Sequence, residues 1–251
     1  MKMDQVAVQM YTLRQHAAED LDGTLWRLAD IGYKQVEFAG LYDNTAEDVA
    51  AMLERHGLRA PAAHIPYDAF QENFDGVVEN AKTLGFEWVI VPALPKREID
   101  EQLAQEYISN LNDFGQRANA AGLKFAYHNH AFEFENAYND GTTFFDRVVT
   151  GTDPDAVKLE LDAFWVNRGG ADPARILRDN GDRVALVHIK DAAKGDAASD
   201  VPFGEGGLDW ETILGAADAA GVEYYVVEQD NPGDAFEDVT IAFRNAEKWS
   251  K

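Results

Sequence analysis

Short apolar runs alternate along this chain with amphipathic segments of helical period. Eight runs, at residues 6–10, 35–38, 59–64, 88–91, 124–128, 157–162, 184–189 and 224–228, read as strands. Between them lie helical patterns such as 45–56 and 99–121. The last pattern, 235–249, puts Phe236, Val239, Phe243 and Ala246 on one face at spacings of three and four. Gly32, Gly57, Gly85, Gly122, Gly181 and Gly221 each follow a helical pattern and precede a strand, where a left-handed residue ends a helix and turns the chain. Strands alternating with helices imply parallel pairing and an α/β fold.

A closed barrel is preferred over an open sheet. The first strand runs into MYTLRQHAAEDLDG, which lacks the glycine cluster of a dinucleotide-binding turn. Polar residues instead mark the strand ends: Gln9, Glu37, His64, His128, Asp162, His188 and Glu228. A barrel brings such ends to one mouth, whereas an open sheet strings them along an edge. The length of 251 residues suits a single (β/α)8 TIM barrel occupying 1–251 as one domain.

Charge narrows the partners. The chain carries 45 acidic and 22 basic residues, a net −23, and such a surface repels phosphate backbones and anionic membranes alike. Neither nucleic acid nor membrane is therefore expected as a partner. There is no Cys, so a metal would need His and carboxylate ligands. The first residues, MKMDQVAVQMYTLR, lack the apolar run of a signal peptide, and a cytoplasmic location is the expectation. Acidity spread over nearly every helix suits a high-salt, halophilic cytoplasm. A homo-oligomer is compatible with the sequence, which leaves its order open.

The densest chemistry falls at four consecutive strand ends. FAYHNHAFEFE supplies His128, His130, Glu133 and Glu135; LELDAFWV supplies Asp162; VALVHIKD supplies His188, Lys190 and Asp191; YYVVEQD supplies Glu228. Three carboxylates and one imidazole suit Mn²⁺, Mg²⁺, Co²⁺ or Zn²⁺. Through VQMYTLR, HNHAFEFE, ELDAFWV, HIKD, GEGGLDW and VEQD, the chain resembles the xylose isomerase-like barrel superfamily, in its sugar phosphate isomerase/epimerase group. The resemblance implies a divalent metal held by Glu, Asp, His and Glu from the last four strands. Asp162, His188 and Glu228 match, and Glu133 is the expected fourth ligand, with His128 as its substitute or as a substrate contact.

Such a site acts on a small carbohydrate. A metal on a carbonyl and its neighbouring hydroxyl acidifies the intervening C–H, giving an enediolate. Glu133 and Glu228 are the expected acid/base pair of an isomerase or epimerase, the group's commoner description, with His128 and Lys190 assisting. The alternative is a lyase, a dehydratase or β-eliminase of inososes or 3-keto-glycosides, because His128 or His130 could protonate a departing oxygen. Substrate contacts are expected from Gln9, Glu37, His64, His130 and Trp165. Glu205 is expected to join them from a lid at 194–209, and Tyr11, Phe132, Phe134 and Phe203 to line the same mouth. A non-catalytic sugar binder and an endonuclease IV-like nuclease are weaker readings; the charge opposes the latter.

Overall fold

The computed structural model describes residues 1–135 and 138–250. Its strands in chain order are β1 (Val6–Gln9), β2 (Gln35–Phe38), β3 (Arg59–His64), β4 (Trp88–Val91), β5 (Lys124–His128), β6 (Lys158–Asp162), β7 (Val184–His188), β8 (Asp191–Ala193), β9 (Asp196–Val201) and β10 (Tyr224–Val227). β1 to β7 and β10 form a closed parallel barrel, shut by pairing of β1 with β10 and β2. All eight expected strands are present, and their ends move by at most one residue. β8 and β9 form a separate antiparallel hairpin that the hydrophobic pattern did not reveal, since five of the six β9 residues are polar or Ala.

Side-chain alternation divides the barrel into layers. Outward residues such as Val8, Val36, Phe125, Tyr127, Leu159, Leu161 and Val187 pack beneath the helices in one large apolar cluster. Inward residues Ala62, Trp88, Ile90, Ala126, Ala185, Leu186 and Tyr224 form a smaller cluster that plugs the barrel. One pleat nearer the C-terminal ends, the inward positions turn polar: Gln9, Glu37, His64, His128, Glu160, Asp162, His188 and Glu228, all buried. Strand period alone thus stacks a charged layer on an apolar floor.

Helix ends follow the sequence signals. Thr45 caps the helix Ala46–His56 by accepting from Asp48 N, and Asp100 caps Glu101–Ala120 through Leu103 N. Gly57, Gly85 and Gly221 close helices in the left-handed conformation, while Gly32 and Gly122 also have positive φ. Gly181 departs from that pattern. Its φ is not in the left-handed region, and an added Cβ would stand 3.1 Å from both Ala220 Cβ and Leu177 O, a close approach of two helices that a side chain would tighten.

Candidate metal centre

Three side chains from three strand ends converge at the mouth. Asp162, His188 and Glu228 are buried and offer ligand atoms within 4.8 Å of one another. His188 Nδ1 lies 2.8 Å from Glu228 Oε2 and 3.9 Å from Asp162 Oδ2. Asp162 is held from both sides: its N–H donates to Asn129 Oδ1 at 3.1 Å, and its Oδ1 accepts from Trp165 N, capping the helix Ala163–Arg168. Asp162 Oδ2 has no hydrogen-bond partner among the described residues. A buried carboxylate oxygen without an aligned hydrogen bond, beside a second carboxylate and an imidazole, fits a hard or borderline divalent cation.

Lys190 lies against this triad. Its Nζ stands 2.7 Å from Glu228 Oε2, 2.9 Å from Asp230 Oδ2 and 3.1 Å from Asp162 Oδ2, the last an ion pair without hydrogen-bond alignment. Burial alone opposes the ammonium charge, but Asp162, Glu228 and Asp230 outweigh it and hold the Lys190 pKa well above its ordinary value. Burial likewise works against an imidazolium at His188, and Glu160, Glu228 and Glu37 overcome it. Burial pushes Asp162 up to about 6 despite the nearby Lys190 and His188.

Beneath the triad lies a second buried group: His64, His128, Glu160 and His188, with Glu37 beside it. Glu160 Oε2 is its centre, 2.6 Å from His64 Nε2, 2.9 Å from His128 Nδ1 and 3.2 Å from His188 Nε2. Glu37 Oε1 sits 3.0 Å from His188 Nε2 and accepts from Gln9 Nε2 at 2.7 Å. Burial and the Glu160 charge raise Glu37 to about 7, and burial lowers His128 to about 3.

A cavity of about 370 Å³ opens above these layers. Tyr11, His64, His128, His130, Lys190, Glu228 and Asp230 supply its polar lining, with Pro66, Pro92 and Ala93 as apolar wall. His130 is half-buried, packed on Trp165 and Phe132 at ring separations of 5.2 and 6.3 Å, and its Nδ1 lacks a partner among the described residues. Burial keeps its pKa well below that of free imidazole.

Four of the expected site residues, Glu133, Gln9, Glu37 and Glu205, stand apart from the triad and the cavity lining. Glu133 does not join the triad. β5 points Tyr127 outward, and Glu133 meets it there, accepting from Tyr127 Oη at 2.6 Å and from His130 N at 2.8 Å. Gln9 and Glu37 do not line the cavity; they pair with each other in the layer below it. Glu205 accepts from Asn245 Nδ2 at 3.0 Å, on the terminal helix rather than over the mouth. The segment 194–209 is tied down: its residues Asp196–Val201 form β9, paired with β8, and Asp191 accepts from Gly204 N, Gly206 N and Leu208 N. Among the aromatics, Tyr11 lines the cavity and Trp165 backs His130, whereas Phe134 stacks on Phe145 and Phe203 packs on Trp210. Glu160 and Asp230 had no assigned role. The alternation in LELD already put Glu160 on the Asp162 face, but only tertiary pairing reveals its three imidazole neighbours.

Residues 25–249 match the xylose isomerase-like TIM barrel family, and the chain belongs to it. Over 193 residues it is 24% identical to an inosose dehydratase of Geobacillus kaustophilus, covering 68% of this chain and 61% of that one. A second inosose dehydratase, of Geobacillus thermodenitrificans, is 30% identical over 142 residues, 49% of this chain and 46% of that protein. The chain thus matches about half to three fifths of these curated relatives. Among solved structures, a sugar phosphate isomerase/epimerase of Parabacteroides distasonis is 27% identical, with a TM-score of 0.83 over 95% of this chain and 92% of its own. The zinc-binding IolI protein shares the fold at 20% identity and a TM-score of 0.76. No helix among the described residues is long and apolar enough to cross a membrane.

Proposed function

We propose that this protein is a divalent-metal-dependent lyase that removes water from a small, uncharged, cyclic polyhydroxy ketone of the inosose or keto-sugar class. Asp162, His188 and Glu228 would hold the ion, which when bound polarises a carbonyl and a neighbouring hydroxyl and so acidifies the adjoining C–H. The carrying observation is the exchange of acid/base groups at the mouth. Glu133 is turned into the helix layer, whereas His130 lines the cavity, its buried Nδ1 without a partner among the described residues.

That exchange favours elimination over epimerisation. An epimerase needs proton-transfer groups on opposite substrate faces, and the expected Glu133–Glu228 pair has lost one member. A single imidazole suffices for a syn elimination. Neutral His130 takes the proton beside the carbonyl, and the freed electron pair forms the C=C bond. The β C–O bond breaks as its hydroxyl takes that proton back from the imidazolium and leaves as water. Held neutral by burial, His130 starts in the form that accepts a proton. Pro66, Pro92 and Ala93 keep bulk water off this wall.

The substrate is read as uncharged because Lys190, the one Lys or Arg among the described residues lining the cavity, has its charge committed to three carboxylates. A phosphate would find no further Lys or Arg in that lining among the described residues. The likeness to inosose dehydratases supports the same substrate class.

Incubation with Mn²⁺ in D2O against ketoses, inososes and 3-keto-glycosides tests the reading. Loss of water with formation of an unsaturated ketone or its diketone tautomer is expected. His130→Gln should lower kcat by about 100-fold or more. A deuterated, rearranged sugar with no loss of water would identify an isomerase or epimerase instead.

A further inference from the structure

We infer that Glu160 fixes the tautomer of His128 so that its Nε2 serves as the fourth metal ligand, in place of a fifth-strand carboxylate. This rests on the reading of Asp162, His188 and Glu228 as a metal centre. An ionised carboxylate oxygen only accepts hydrogen bonds, so each ring nitrogen facing it carries the proton. His128 Nδ1, 2.9 Å from Glu160 Oε2, is therefore the N–H, and the lone pair falls on Nε2. That nitrogen lies 3.9 Å from Asp162 Oδ2, the triad oxygen without an aligned hydrogen bond. His188 repeats the arrangement. Its Nε2 faces Glu160 and Glu37 at 3.2 and 3.0 Å, and its Nδ1 lies 3.9 Å from the same Asp162 oxygen.

Both imidazoles are thus held from behind by one carboxylate and turn their opposite nitrogens toward Asp162. Two ligands each about 2.1 Å from one ion are separated by about 3–4.2 Å, depending on the angle between them, and both 3.9 Å separations from Asp162 Oδ2 fall in that interval; His128 clusters with Glu160 and His188 rather than with Glu228, so its ring would shift toward the triad on binding the ion. Glu160 is a positioning residue. It is fully buried and meets the ligands' far nitrogens, as outer carboxylates do in carboxylate–histidine–metal arrangements. The resulting set is two carboxylates and two imidazoles, and it accounts for a strand that ends in His128 while Glu133 faces away.

Two measurements test this. Long-range ¹H–¹⁵N correlation on histidine-labelled wild-type protein reads the tautomers directly. His128 is expected as the Nδ1–H form, and an Nε2–H form would overturn the inference. Pulsed EPR of bound Mn²⁺ counts coordinating nitrogens: two are expected in the wild type and one in His128→Ala. His128→Glu should keep the ion with one nitrogen, and Glu160→Gln should weaken Mn²⁺ binding by about 10–100-fold. One nitrogen in the wild type, unchanged in His128→Ala, would refute the role of His128 and leave the triad standing. Absence of Mn²⁺ binding, or binding unaffected by Asp162→Asn, would remove the metal centre and this inference together.

Discussion

Glu133 illustrates how one side chain can carry a family-like motif and a different job. Burial raises its carboxyl to about 7 from the ordinary 4.5, although Tyr127 and the His130 amide both donate to it. A folded-state value above the unfolded one means that the folded protein holds this proton more tightly. The stability that proton lends is complete below 4.5 and disappears as pH rises through about 7, a loss of roughly 3 kcal/mol. Glu133→Gln should therefore gain stability relative to wild type as pH goes from 5 to 8. Urea unfolding of both proteins at the two pH values reads this, and an unchanged difference would count against it. Sequence could not place Glu133, because the turn carrying it folds back behind β5 to meet an outward Tyr127. Asp162, His188 and Glu228 were legible since each ends a strand on its inward face, where a period of two leaves no choice.

At the level of elements, the barrel strands and their flanking helices follow directly from apolar runs and caps. The β8–β9 hairpin does not. β9 buries little, and Asp191 defines the hairpin's return through backbone amides far along the chain. Gly206 closes this turn at a contact that no side chain can enter: an added Cβ would lie 2.3 Å from both Ala192 O and Asp191 Oδ1. Asp191→Ala, which strands three loop amides, should cost about 1–3 kcal/mol. It should also speed amide exchange across 194–208 while leaving the barrel strands protected. Uniform exchange in wild type and variant would mean that Asp191 does not hold the hairpin. The hairpin also reaches the mouth, because Asp200 Oδ2 accepts from Asp230 N and Asn231 N, and Asp230 in turn binds Lys190. Loosening it should therefore raise KM as well as lower stability.

For the whole molecule, the net −23 is a self-repulsion that dissolved salt screens within about 10 Å at 0.1 M and within about 3 Å at 1 M. Part of the acidity is put to use, since Asp20, Asp100, Asp172, Asp209 and Asp234 cap helices. The remainder should make the melting temperature climb with KCl. Each kcal/mol relieved should appear as about 2–4 °C, and a flat or falling melting curve would argue against a high-salt origin. Inside, the barrel follows the opposite rule. Trp88, Tyr224 and their apolar neighbours fill the pore below the mouth. They make the barrel an electrical insulator closed at one end, so field lines from Asp162, Glu160 and Glu228 leave through the open side. A substrate bound there would feel the buried charges almost undiluted.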